Sequence, residues 1–354
     1  MRIAAAALLL CAMPAGAFTP SQFVVFGDSF IDAGSVHRFS GGTQAPRALG
    51  FWQGRWSDGP SWADYLGYAN FGKPTPTFYG RNPAGTIPGL PGFTYTPGAS
   101  NFAVGGARAG SNAGLIPSLP TQVGLYNQYL AATGVLPDAN TLFILNFGNN
   151  DVNHINSLAG NPVAQAAAFN AYVTNMANVT LGLAANGARH ILVAGVPNPT
   201  KAPGPALQTA LNAALNLVEA NPLFAGATLY RFDYFAFFAA LEADPTQFGL
   251  PATLITDQSR NCLAEVPPKG DCSNYLLFDG IHVTRGIQQA ISIQIGRQLG
   301  IAVVPEPGTW AMLIAGFGFI GLAARRRRAA HIPQLAPAQG RGRASRATNL
   351  PNRA

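Results

Sequence analysis

Charge is scarce in this chain. Asp, Glu, Lys and Arg make up 10% of 354 residues, against 48% hydrophobic. A chain so apolar and so weakly charged collapses instead of repelling itself open, which excludes a disordered or fibrous protein. Cysteine is nearly absent, with three in all, and the cysteines and histidines show no CxxC or HExxH spacing, so no metal and no cofactor are expected. A phosphate-cradling glycine loop is also missing: GARAG at 106–110 mimics part of GxGxxG but lacks its spacing. There is no internal repeat. A basic body is lacking too, despite a formal net charge of +7. Arg325, Arg326, Arg327, Arg328, Arg341, Arg343, Arg346 and Arg353 all come after residue 324, and no acid accompanies them. Without those eight, 14 of the 22 Lys and Arg remain against 15 acids. The footprint of a nucleic-acid binder is therefore absent from the body of the chain, and no nucleic-acid partner is expected.

What is present begins with two ends that read as addresses. Residues 1–17, MRIAAAALLLCAMPAGA, carry one early Arg, an apolar stretch and a small-x-small site, the pattern of a cleavable signal peptide that leaves Phe18 first. Near the other end, VPEP at 304–307 precedes the apolar run 309–324 and then Arg325 to Arg328. Sixteen residues rise about 24 Å as a helix, a short span that flanking arginines extend, and the arginines hold that end on the cytoplasmic side. This order resembles the bacterial PEP-CTERM sorting signal, which implies an exosortase-type processing enzyme as partner and a transient stay in the inner membrane. The expectation is an exported protein, anchored through 309–324 before processing and released to the cell surface or beyond after it. The segments expected are a signal at 1–17, a catalytic domain at 18–300, a sorting segment at 301–328 and a basic disordered tail at 329–354. A plain C-terminal anchor is the alternative.

Between the ends, apolar runs of strand length alternate with helical patterns, which points to an α/β domain around a parallel sheet. Strands are expected at 23–26, 101–104, 142–147, 190–196 and 228–232. Helices are expected at 121–132, 162–186, 203–219, 234–242 and 284–299, with Gly187 and Gly300 as stops. Residues 33–98 break this rhythm: the stretch is rich in Gly, Pro and aromatic residues, has one short helical pattern at 61–66, and is too long for an ordinary connection. It reads as an insertion that shapes a binding surface, its aromatic residues suited to sugar stacking or to acyl chains.

Four peptides carry the chemistry. FGDSF at 26–30 comes after the first strand, NFAVGGA at 101–107 after the second and FGNND at 147–151 after the third, while LLFDGIHVT at 276–284 precedes the last helix. In open α/β sheets, ligands bind at the carboxyl ends of the strands. Acyl transfer needs a nucleophile, a base, an orienter for that base and donors for the oxyanion. Ser29, His282 and Asp279 supply the first three, with Asp279 close enough in sequence to hold one imidazole tautomer. The backbone N–H groups of Ser29 and Gly106 and the Asn150 amide supply the donors, and Gly105 is the alternative to Gly106. Asp28 and Asp32 read as turn-stabilising groups and Asp151 as a helix cap or a supporting partner. His154 is the remaining histidine nearest the site.

In these blocks the sequence resembles the GDSL family of SGNH hydrolases, from residue 23 to about residue 300. Phe30 stands where the family has Leu, and GRWSDGPSWADYL at 54–66 is similar to the peptide that comes after the first block in the secreted branch. The resemblance implies a three-layer αβα sandwich, flavodoxin-like, with a parallel five-stranded sheet. It also implies a serine esterase or lipase that cleaves carboxylic esters of acyl lipids or acetylated glycans. Deacetylation of polysaccharide and phospholipid acyl transfer are alternatives on the same site. A non-catalytic surface binding protein on a decayed hydrolase scaffold is the alternative of another class. Cys262 and Cys272, in a compartment that permits disulfides, flank the loop just before Asp279 and are expected to pair.

Overall fold

A computed structural model describes residues 18–81, 85–87, 92–112, 114, 116–198 and 201–303. The signal at 1–17, the run 309–324, the Arg cluster and the tail lie outside the described residues. Among those described, no helix is long and apolar enough to cross a membrane.

Strands β1 (Gln22–Gly27), β4 (Thr141–Asn146), β5 (His190–Ala194) and β6 (Thr228–Phe232) form one parallel sheet in that spatial order. The short strands β2 (Tyr79–Arg81) and β3 (Phe93–Tyr95) pair as a separate antiparallel ribbon. The helices are α1 (Ser35–Phe39), α2 (Trp62–Phe71), α3 (Leu119–Thr133), α4 (Asn149–Ser157), α5 (Pro162–Ala185), α6 (Pro203–Glu219), α7 (Tyr234–Ala243), α8 (Cys262–Glu265) and α9 (Arg285–Leu299). Alternate residues of β1, β4 and β5 enter opposite cores. Val24, Phe26, Phe143, Leu145, Ile191 and Val193 pack with residues of α3, α5 and α6, whereas Phe23, Val25, Leu142, Ile144, Leu192 and Ala194 pack with residues of α2, α7 and α9. A sheet buried on both faces needs unbroken apolar strands, which is why these runs stand out in the sequence.

Four strands form in the main sheet where five were expected. Residues 101–104 do run beside β1: Val25 N–H donates to Ser100, and Phe102 and Val104 donate to Val25 and Gly27. However, Asn101 gives its N–H to Pro76 and accepts the Ala103 N–H on its side chain, and the chain turns away at Gly105. The segment therefore makes a bridge at Asn101 instead of a strand.

The insertion contributes to the core. Trp62, Phe78 and Tyr79 are fully buried and Phe51 nearly so, which leaves fewer of its aromatic rings for substrate than the sequence suggested. Cys262 and Cys272 are joined in a disulfide with Cα atoms 5.4 Å apart. It packs with Phe51 and Phe278, and the Cys262 and Leu263 N–H groups donate to Leu277 and Phe278. The bridge thus braces the backbone that leads into Asp279. Chain-entropy arithmetic for a loop of about eleven residues gives roughly 3 kcal/mol. Reducing it, or the double change Cys262→Ser and Cys272→Ser, is expected to lower Tm by roughly 5–10 °C, as measured by a melting curve with a thiol count.

Candidate active site

The nucleophile turn is built by β1 ending at Gly27. A Cβ there would lie 2.7 Å from the Ile31 side chain and 2.9 Å from the Asn146 carbonyl, so only glycine lets the chain turn this tightly. The Gln122 amide of α3 holds both backbone groups of Gly27, each at 2.9 Å. Nothing in the sequence singled out Gln122; its only signal is a polar residue on the buried face of an amphipathic helix. Beyond the turn, Asp32 accepts the N–H groups of Gly34, Ser35 and Val36 and, from across the site, that of Gly105.

Ser29 and His282 are 253 positions apart, yet Ser29 Oγ lies 2.7 Å from His282 Nε2. His282 Nδ1 lies 2.8 Å from Asp279 Oδ2. Asp279 Oδ1 also accepts the N–H groups of Ile281 and His282, at 3.0 and 2.8 Å, which fixes the carboxylate before it meets the ring. Burial alone would raise the Asp279 pKa; the hydrogen bond and charge of His282 outweigh it and hold the carboxyl below its usual range. With Nδ1–H given to an ionised Asp279, Nε2 is left to accept the Ser29 proton.

The three groups expected to hold an oxyanion sit on two turns and on helix α4. Among the described residues no acceptor takes the N–H of Ser29 or of Gly106, whereas Gly105 spends its own on Asp32. Of the two adjacent glycines it is therefore Gly106 whose N–H is open to a ligand, and its φ of +83° is itself a glycine conformation. Asn150 lies in α4, a helix that apolar periodicity did not announce. One of its amide N–H bonds goes to the Ala107 carbonyl at 3.0 Å, which orients the amide and leaves the second N–H for a ligand. Neighbouring Asn149 accepts from Asn198 at 2.7 Å and so ties α4 to the loop after β5. His154 lies one turn further along α4, where burial and the nearby Arg108 charge lower its pKa; the imidazole that meets Ser29 is that of His282.

Two buried carboxyls lie beneath the site. Asp28 accepts from the Phe30 N–H and the Asn146 amide, and its Oδ2 is buried without a partner. Burial pushes its pKa up to about 7, against the Phe30 hydrogen bond and with help from nearby Asp151. Asp151 accepts the Ala109 and Gly110 N–H groups, and burial raises it to about 6. A carboxyl whose pKa is raised by folding stabilises the fold fully below its unfolded value near 4, and that stability is lost as pH rises through the folded value. The window is therefore about pH 4 to 7. Asp28→Asn is expected to gain on wild type across it, approaching about 4 kcal/mol at the upper end; melting curves of both proteins at pH 4, 5.5 and 7.5 check this.

A cavity of about 150 Å³ opens beside the Ser29 turn, lined by Phe30, Phe238, Leu276 and Val283 and also by Asn153 and Lys201. A larger one of about 480 Å³ lies at the opposite end of β1 against Gln22, Phe71 and Tyr129; the smaller one is lined by chain neighbours of Ser29, Asn150, Asp279 and His282, namely Phe30, Asn149, Gly280, Ile281 and Val283, and so is the one beside the site. Among the described residues no group of three or more His, Cys, Asp or Glu is arranged to hold a metal.

An open parallel α/β sheet carries its ligand site beyond the carboxyl ends of its strands, which is where these groups lie. Residues 23–295 match the GDSL-like lipase/acylhydrolase family, and with most of its length matched the chain belongs to that family. Residues 303–328 match the PEP-CTERM protein-sorting motif, so the chain is a hydrolase bearing an export and sorting signal. A comparison with curated proteins finds no match.

Proposed function

We propose that the chain is a serine hydrolase of carboxylic esters that works through an acyl-enzyme on Ser29. The observation that carries this reading is the continuous hydrogen-bonded line from Ser29 Oγ through the His282 ring to Asp279, 2.7 and 2.8 Å in its two steps. As Ser29 Oγ attacks the ester carbonyl carbon, its proton passes to His282 Nε2, and the carbonyl oxygen becomes an oxyanion held by the N–H groups of Ser29, Gly106 and Asn150. Collapse of that intermediate expels the alcohol, which takes the proton back from His282. Water then repeats the sequence on the acyl-enzyme, releasing the acid and regenerating the serine. Asp279 holds the ring and offsets its transient charge without accepting the proton.

The cavity supports a size limit on the acyl group. A cavity near 150 Å³ has about the volume that holds a benzene-sized group, so the cavity beside Phe30, with Phe238, Leu276 and Val283 as its apolar lining and Asn153 and Lys201 as polar lining, suits an acyl group of about six carbons or fewer. A panel of nitrophenyl esters from acetyl to dodecanoyl, run beside an acetylated polysaccharide, is expected to show kcat/KM highest at or below six carbons; a maximum at the longest chains overturns this size limit. Labelling by a fluorophosphonate that maps to Ser29 tests the nucleophile itself. Polysaccharide deacetylation and acyl transfer share the same acyl-enzyme and differ only in the alcohol that leaves or enters.

The ends belong to the same proposal. Residues 1–17 direct export, 18–300 form the catalytic domain, 309–324 halt the chain in the inner membrane with Arg325 to Arg328 inside, and an exosortase-type enzyme removes the segment after VPEP. The PEP-CTERM match supports this order.

A further inference from the structure

The peptide Gly54-Arg55-Trp56-Ser57-Asp58-Gly59 lies far from His282 in sequence and takes no part in the chemistry above, yet its residues grip the segment that carries His282. The indole of Trp56 packs over the His282 ring, with centroids 5.2 Å apart and planes tilted by 32°. Ser57 Oγ donates to the Val283 carbonyl at 2.9 Å. Asp58 Oδ1 accepts the Arg285 N–H at 2.6 Å, at the first residue of α9. Three successive side chains thus hold residues 282, 283 and 285. Behind them the peptide is anchored: Arg55 makes a two-pronged, buried pair with Asp64 at 3.0 and 3.1 Å, and Trp52 and Ser57 close the turn through a backbone bond of 2.8 Å.

The same indole reaches the other half of the site. A Cβ on Gly105 would lie 2.7 Å from Trp56 Nε1, so the ring fills the space against the turn that presents the Gly106 N–H. Phe51 meets Trp56 edge-on at 6.1 Å and Phe278 at 5.0 Å, which closes the aromatic packing behind it.

We infer that Trp56 is a positioning residue, one ring that sets the His282 imidazole and the Gly105–Gly106 turn in register with each other, with Ser57 and Asp58 fixing the backbone on which His282 rides. The inference rests on the serine-hydrolase reading. The physical basis is twofold. A base displaced by about 1 Å from its nucleophile can cost about 10²-fold in rate, and an aromatic face stabilises the cation that the imidazole becomes when it takes the serine proton. Neither effect requires Trp56 to touch substrate, so kcat should change and KM should not.

The test uses the exported chain with Trp56→Ala, Trp56→Phe and Ser57→Ala. Rates are expressed per competent site, counted by stoichiometric fluorophosphonate labelling, so that loss of folded protein does not enter kcat. Trp56→Ala is expected to lower kcat about 10- to 100-fold with KM within about 3-fold, and Trp56→Phe to return most of that loss. A kcat per site within about 2-fold of wild type in Trp56→Ala overturns the inference. If Trp56→Ala does not fold, Ser57→Ala decides: a drop in kcat of about 3-fold or more at unchanged KM supports the inference, and an unchanged kcat overturns it. A wild-type chain that neither labels at Ser29 nor turns over esters refutes the hydrolase reading instead, which keeps the two failures apart.

Discussion

Ser29→Ala is expected to lower kcat on any ester the wild type cleaves by about 10³ to 10⁶ while leaving the fold intact, and His282→Ala to do the same. The fold survives because, among the described residues, the Ser29 hydroxyl makes one hydrogen bond, with His282. The turn itself is held by Gly27, Gln122 and Asp32. The two changes should also fail to add: once the nucleophile is gone the base has no proton to accept, so the double variant should be about as slow as either single one. Steady-state kinetics with melting curves on the three variants check this. More than about a tenth of wild-type activity in folded Ser29→Ala protein would overturn the mechanism.

The legible parts of this molecule are those where one physical demand dominates. Strands 142–147 and 190–196 announced themselves because both faces of a parallel sheet are buried, and helix Pro203–Glu219 falls where it was expected because a starting proline and an amphipathic pattern agree. The expected strand at 101–104 did not form because Asn101 diverts hydrogen bonds that a strand would have used. Helix α4 escaped notice because its sequence, NNDVNHINS, is polar and has no side-chain cap. In the site, Ser29, Asp279 and His282 are grouped through the resemblance of four peptides to one family, and the structure brings the three side chains into one hydrogen-bonded line. That the Gly105 N–H is already taken, by the Asp32 carboxylate, could not be read from the sequence, because the contact spans 73 positions. Trp56 could not be placed by any local rule: an aromatic residue in a glycine-rich loop looks the same whether it meets substrate, solvent or, as here, the His282 ring.

Asn150→Ala should lower kcat by about 10² to 10³, less than loss of the nucleophile, because one oxyanion donor of three is removed and Ser29 and His282 keep their contact. KM should change little, since the ground-state carbonyl is bound far more weakly than the oxyanion it becomes. The side chain has a second duty that sets the direction of a companion variant. Its amide donates to the Ala107 carbonyl at 3.0 Å, one residue after Gly106, so a replacement that cannot donate also loosens the turn carrying another donor. Asn150→Asp keeps the shape but turns an acceptor toward both the Ala107 carbonyl and the developing negative oxygen. It should therefore be slower than Asn150→Ala despite being closer in size, and most clearly so at a pH where the new carboxylate is ionised. Kinetics of both variants across pH, with KM and kcat separated, decide the assignment. If Asn150→Asp equals or exceeds Asn150→Ala at every pH, the side chain does not face the oxyanion, and the donor set reduces to the N–H groups of Ser29 and Gly106.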